Sequence, residues 1–261
     1  MTDSLSNTFP FAGQRDVHRI GMGVMRLTGQ PGNFGPYPDW DQGISLLKTA
    51  VDRGVQFFDS AFAYGPQWAD RLLGDALSPF HPDLLIATKG GVDKPEAGKP
   101  VIDGSPEALL KQVDTALTNL KTDCIDLFQL HRVDPQIPIE VSLGALEQAR
   151  LAGKIRWIGL SNVNRQQLDR GRQVTSIASV QNRYNPAEID DDAMVDYTQS
   201  LGIAYLPWGP LGADPFQKGA TLPPRESLAW LLKRSPNIIV IPGTTSRDHL
   251  IENLNLWNSI P

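Results

Sequence analysis

A short apolar run paired with an amphipathic helix recurs along nearly the whole chain, and that alternation restricts the fold more than any other feature. "GISLLKTAVDRG" leads into "VQFFDS", "RLLGDAL" into "LLIATK", "SPEALLKQVDTALTNL" into "IDLFQLH", and "EVSLGALEQARLAG" into "IRWIGLS". Further on, "RQQLDRGRQV" precedes "IASVQN", "DDAMVDYTQSLG" precedes "IAYLPW", and "ESLAWLLKRSP" precedes "NIIVIPG". Ile44, Leu46, Leu47, Ala50 and Val51 make one apolar helix face that Gly54 terminates, and Ser105 with Pro106 supplies an N-cap and a first-turn proline. With an opening strand near "RIGMGVM", the pattern predicts about eight strands alternating with about eight helices.

Strands that read as continuous apolar runs between helices imply a parallel sheet covered by helices. About eight such units in 261 residues predict an α/β fold of the (β/α)8 TIM-barrel type, with residues 1–261 as one domain. An open doubly wound sheet would need a Gly-rich turn after its first strand. "GMGVMR" carries only the first two glycines of that fingerprint, and no clear helix follows it.

Composition excludes several function classes. With 24 Lys and Arg against 29 Asp and Glu, a net charge of −5 and no basic run, nothing is available to neutralise a phosphate backbone, and no nucleic-acid partner is expected. Cys124, the sole cysteine, can form no internal disulfide and is expected to serve as a small buried hydrophobe in a reducing compartment. The N-terminal "MTDSLSNTFPFAG" lacks the charge and apolar run of a signal peptide, and no stretch approaches the ~18 apolar residues of a membrane span. The expectation is a cytoplasmic protein with no membrane partner.

In a barrel, chemistry collects where the strands stop at the C-terminal face. There "FFDSAFAYG" delivers Asp59 with Tyr64 beyond it, "LLIATK" delivers Lys89, and "IDLFQLH" delivers His131. Singly, each is as compatible with a solvated strand end or a structural ion pair as with a site. Together an acid, a phenol, a cation and an imidazole make a proton-transfer centre that needs no metal. A phenol with an ordinary pKa of about 10 is a poor acid at neutral pH, and a neighbouring cation favours its ionised form. Lys89 is the expected cation, Asp59 its counter-charge, and His131 a hydrogen-bond partner for a carbonyl oxygen.

These four residues, in this order and spacing, resemble the catalytic tetrad of the aldo-keto reductases, and the likeness runs from "GMGVMRL" to "IPGTTSRDHLIENL". The resemblance implies a barrel reductase in which NADPH, or alternatively NADH, delivers hydride to a small-molecule aldehyde or ketone and Tyr64 donates the proton. It implies cofactor contacts at Gly23 and Met25, carboxamide contacts at Ser161, Asn162 and Gln181, ring stacking on Trp208, and a pyrophosphate path along Gly209, Pro210 and Leu211. For the adenosine end it implies Gly243, Thr244, Thr245, Arg247, His249, Glu252 and Asn253. Thr244, Thr245 and Ser246 precede a helix, and hydroxyls with free N–H groups there suit a phosphate, although Ser246 also reads simply as an N-cap.

Gly243 and His249 stand where the resembled family often has a basic residue gripping the 2′-phosphate, which leaves Arg247 as the substitute. The short "ADPFQKGATLPPRE" and the chain end at Pro261 imply a more open substrate pocket. "GMGVMRLTGQPGNFGPY" and "QNRYNPAEIDDDAM" are most similar to bacterial pyridoxal and small-aldehyde reductases, and Phe34, Tyr37 and Trp40 read either as an aromatic wall for a pyridine ring or as the apolar anchors of a Gly/Pro-rich surface loop. A monomer or weak oligomer is expected. Two alternatives stand beside the reductase: a Schiff-base aldolase using Lys89 as nucleophile, and an NADPH-binding regulatory subunit with little turnover.

Overall fold

The computed structural model describes residues 6–212 and 221–258. The predicted connection at 213–226 therefore lies largely, and Pro261 wholly, outside the described residues. A hairpin of β1 (Thr8–Phe11) and β2 (Arg15–His18) comes first, then β3 (Met22–Gly23), α1 (Trp40–Asp52), β4 (Phe57–Asp59), α2 (Trp68–Leu77) and β5 (Leu85–Gly90). A second hairpin, β6 (Val92–Glu96) with β7 (Lys99–Ile102), interrupts the alternation before α3 (Pro106–Leu120), β8 (Ile125–Leu130), α4 (Ile139–Leu151) and β9 (Ile155–Ser161). The remainder is α5 (Arg165–Arg172), β10 (Ile177–Gln181), α6 (Asp192–Ser200), β11 (Ala204–Tyr205), α7 (Pro224–Arg234) and α8 (Arg247–Leu254).

Seven parallel strands run in the order β11-β10-β9-β8-β5-β4-β3, and the segment 237–243 closes the ring. Its backbone bonds both edges: Ile239 N donates to Tyr205 O at 3.0 Å, and Gly21 N donates to Val240 O at 2.8 Å. The expected eighth strand is thus a series of single bridges, Ile238 to Tyr205, Val240 to Ile20 and Gly243 to Gly23, rather than a continuous ladder. Pro242 has no N–H to donate, which shortens the run. The predicted seventh strand is likewise cut to Ala204–Tyr205, with Pro207 just beyond.

Two apolar layers follow from the two-residue period of the strands. Phe57, Leu85, Ala87, Leu127, Trp157, Ala204, Leu206, Ile239 and Ile241 fill the barrel interior, whereas Phe58, Ile86, Phe128, Ile158 and Tyr205 face the helices. The sequence pattern missed both hairpins. The first closes one end of the barrel, since Phe9, Phe11 and Val17 belong to the interior layer and the Phe11 ring meets Trp157 edge-on at 5.3 Å. Cys124 departs from expectation, being only half-buried at the turn before β8. No helix among the described residues is long and apolar enough to cross a membrane.

Candidate active site

Strand parity decides which side chains reach the inner rim. Phe57 points inward, so Asp59 does as well; Leu85 and Ala87 carry Lys89 to the same side; Leu127 carries Gln129 and His131. Asp59, Lys89, Gln129 and Gln181 are all buried. Tyr64 lies on the connection between β4 and α2, half-buried. That connection is pinned to the next strand by Phe62 N donating to Lys89 O at 2.9 Å.

The acid and the cation meet directly. Lys89 Nζ donates to Asp59 Oδ2 at 2.7 Å and to the Ser60 carbonyl at 2.7 Å. The second carboxylate oxygen, Oδ1, accepts from Gln181 Nε2 at 2.9 Å and Gln129 Nε2 at 3.3 Å, so Asp59 is fixed by three side chains. Burial works against the lysine charge, but Asp59 and Tyr64, by charge and hydrogen bonding, outweigh it and lift Lys89 above its ordinary value. A Schiff-base lysine requires the opposite tuning, a neutral amine at working pH.

The Lys89 ammonium stands 5.1 Å from the centre of the Tyr64 ring. Its pull on the phenol has the direction predicted from the sequence, but it is not the largest influence. Burial pushes the Tyr64 phenol up, Lys89 pulls it down, Asp59 pushes it up again, and the net value lies above the ordinary one. Tyr64 is therefore a protonated donor throughout the neutral range.

His131 packs edge-on against Tyr64, with ring centroids 6.1 Å apart and planes at 87°. Burial, followed by the charges of Lys89, Arg132 and Lys94, drives its value well below the ordinary imidazole range, so the ring is neutral at physiological pH. His131 Nδ1 is buried and meets no partner within the described protein, which leaves a polar ring atom for a ligand.

Asn162 is more than a strand-end amide. It adopts a left-handed φ of 56°, and its Nδ2 donates to His131 O at 3.1 Å and to Ser161 Oγ at 2.9 Å. Its Oδ1 accepts from Trp208 Nε1 at 3.1 Å. One side chain thereby ties the aromatic to the backbone of His131. Arg183 lies over the Trp208 ring at 5.0 Å and pairs with Glu188 at 2.8 Å. Gln181, expected to contact a carboxamide, donates through Nε2 to Asp59.

The remaining predicted positions follow the rim. The Met25 carbonyl accepts from Thr28 Oγ1 and Gln30 Nε2, at 2.8 and 3.0 Å. Gly23 and Gly243 bridge β3 to the closing segment so tightly that a Cβ on Gly23 would stand 2.8 Å from Ile241 O. Gly209 holds a left-handed φ of 65°, its carbonyl accepting from Asn185 Nδ2 at 3.1 Å, while Pro210 O accepts from Ser227 and Leu211 O from the backbone of Thr221 and Leu222. Ser246 is the N-cap of α8, accepting from His249 N at 3.3 Å, and Thr244 Oγ1 accepts from Ser246 N at 3.0 Å. Thr245, Arg247, His249 and Glu252 are exposed around that terminus, and Asn253 is buried behind it. The donor set there, two helix-terminal hydroxyl residues and an open guanidinium, fits an anionic phosphate.

Of the proposed aromatic wall, Phe34 bridges Gly65 beside Tyr64 with its ring part-exposed. Trp40 packs edge-on against Trp68 at 5.8 Å and, with Tyr37, lines a groove formed with Arg71, Asp75 and Lys121. Being the first residue of α1, Trp40 is drawn into the contact between α1 and α2. Two partners were missed in the sequence: Gln129 on Asp59, and Asp70 of α2, whose carboxylate accepts from Thr88 Oγ1 at 3.0 and 3.1 Å. The available signal for Asp70 was its place on the buried stripe of Ala69, Leu72, Leu73 and Ala76.

The Aldo/keto reductase family model matches residues 19–227. Pyridoxine 4-dehydrogenase of Escherichia coli is 41% identical, the match covering 95% of this chain and 92% of that protein. Among solved structures, a glycerol dehydrogenase of Gluconobacter oxydans superposes with a TM-score of 0.80 at 22% identity, over 98% of this chain and 96% of the other. An aldo-keto reductase of Klebsiella pneumoniae in complex with NADPH gives 0.75 at 21% identity, over 97% and 89% of the two chains. These likenesses agree with the closed parallel barrel, and with the family model spanning most of it the chain belongs to the aldo/keto reductase family, as an NAD(P)H-dependent oxidoreductase acting on CH–OH groups.

Proposed function

We propose that the protein reduces a small aldehyde, pyridoxal foremost, to its alcohol with NADPH, and that Tyr64 is the proton donor. The observation that carries this reading is the single cluster in which Asp59 holds Lys89 at 2.7 Å, Lys89 stands 5.1 Å from the Tyr64 ring, and His131 packs 6.1 Å from the same ring. When bound, the cofactor supplies a hydride to the carbonyl carbon. The chain's residues handle the oxygen. Neutral His131 orients it, Tyr64 gives up its phenolic proton to it, and the phenolate left behind faces the Lys89 ammonium. Asp59 keeps that ammonium charged in a buried setting.

Asn162 would hold Trp208 and the His131 backbone in register beneath the nicotinamide, while Ser161 and the Gly209–Leu211 backbone line its path. At the far end, the α8 N-terminus and Arg247 would take the ribose phosphate. Pyridoxal is favoured because the 41% identical relative is a pyridoxine 4-dehydrogenase, and pyridoxal is the aldehyde of that alcohol. Phe34 at the rim offers an apolar face to a pyridine ring.

A panel of aldehydes including pyridoxal, assayed with NADPH and NADH in parallel, tests the reading. Pyridoxal should rank among the best substrates with NADPH; negligible turnover of every aldehyde with both cofactors would refute it and favour a binding role. Arg247→Ala should weaken NADPH about tenfold, the value of one charge-assisted hydrogen bond, and leave NADH unchanged. Equal losses for both cofactors would place the 2′-phosphate elsewhere.

A further inference from the structure

Asp70 is a fully buried acid that the reaction described above does not use. Its neighbours are telling. Thr88, which donates to both of its oxygens, immediately precedes Lys89 in β5. The strands alternate, so Asp59 and Lys89 face the barrel interior while Ser60 and Thr88 face α2. Asp70 thus stands behind the ion pair and holds the residue adjoining Lys89. The charged and titratable groups around it are Lys89 from β5, Asp59 from β4, and Tyr64 from the connection ahead of α2.

We propose that Asp70 is a positioning residue that keeps Tyr64 loaded with its proton, by bracing the strand end that carries Lys89 and by adding a second negative charge against that lysine. This rests on the reading of Tyr64 as proton donor. With two acids facing one ammonium, the buried group carries excess negative charge, which opposes formation of the phenolate. Burial raises Asp70 to about 6, with Thr88 and Lys89 pulling the other way, so the carboxyl is mainly ionised at pH 7. The sign for stability is unfavourable: a carboxyl raised above its unfolded value of about 3.9 contributes stability below that value and loses it as pH rises through its folded value. At neutral pH a purely structural role would be served as well by an amide.

The test compares Asp70→Asn, Asp70→Glu and Asp70→Ser with wild type, as holoenzymes, in aldehyde reduction with NADPH and alcohol oxidation with NADP+ from about pH 6 to about pH 12, a window that spans a phenol raised above its ordinary value. Removing the charge lowers the phenol. Asp70→Asn should therefore move the alkaline limb of reduction and the acid limb of oxidation downward together, by about one pH unit. Asp70→Glu should restore both limbs. Asp70→Ser removes the same charge with a smaller side chain, so it should shift both limbs in the same direction, and it decides the matter if Asp70→Asn does not fold. Limbs that coincide with wild type, or a Asp70→Asn variant that melts lower at neutral pH and loses activity equally at every pH, would overturn the proposal. If wild type reduces aldehydes and Tyr64→Phe does not, such a result removes only the role of Asp70; if wild type reduces none, it is the reductase reading that fails.

Discussion

Replacing Tyr64 by Phe should abolish aldehyde reduction, with a loss of at least 10²- to 10⁴-fold, about the size of one general-acid contribution. The substitution isolates the hydroxyl. The ring survives, and with it the edge-on contact with His131 and the face offered to Lys89. Lys89 keeps its bonds to Asp59 and to the Ser60 carbonyl, so its charge remains satisfied without the phenol. NADPH affinity should stay close to wild type, because Trp208, Asn162 and the α8 terminus are untouched; quenching of tryptophan fluorescence by NADPH measures it. Single-turnover oxidation of NADPH then reads the chemical step alone. Unchanged turnover would remove Tyr64 from the mechanism, and a parallel loss of cofactor binding would make its role structural. The pH profile carries a second check. Tyr64 is raised above the ordinary phenol and His131 lies well below the ordinary imidazole, so neither should titrate between about pH 7 and 8.

The barrel could be seen in the sequence because its determinants are local. Period-two strands and period-3.6 helices announce themselves in windows of a few residues, and the inner rim follows from strand parity once the strand ends are known. Asp59, Lys89 and His131 were found in that way, each the polar residue that ends or follows an apolar run. The hairpin of β1 and β2 escaped because its apolar residues, Phe9, Phe11 and Val17, answer to a barrel end assembled from distant strands. Gln181 and Asn162 were recognised as rim residues but not by their partners. Gln181 binds an acid 122 residues earlier in the chain and Asn162 an indole 46 residues later, and no local pattern encodes such pairs. Tyr64 was assigned to the site, but the balance on its proton was not foreseen. Burial outweighs the adjacent lysine, and burial is a property of the folded cluster.

Removal of Asp59 should be nearly as damaging as loss of Tyr64, by a different route and with a different pH signature. Asp59→Asn leaves the Lys89 ammonium, fully buried, without its 2.7 Å counter-charge. Stranding one member of a buried ion pair costs roughly 3 to 5 kcal/mol. The lysine can relieve part of that by releasing its proton, since burial alone pulls its value down and the main opposing charge is gone. A lysine depressed in the folded state penalises folding below that depressed value, and the penalty fades as pH rises toward the ordinary value near 10.4. Chemical denaturation should accordingly show a deficit that is large at pH 7 and shrinks under alkaline conditions; a pH-independent deficit would point to lost packing. Reduction should fall in the same variant, because the phenolate left by proton transfer no longer faces a cation. Asp70 gives the experiment a further edge. In wild type its charge is unfavourable for stability at neutral pH, but without Asp59 it is the remaining acid facing Lys89. Asp70→Asn should then change sign with background, neutral or stabilising alone and destabilising in Asp59→Asn, and a double-mutant cycle measures that coupling directly. Strict additivity would mean that the two acids do not share the lysine.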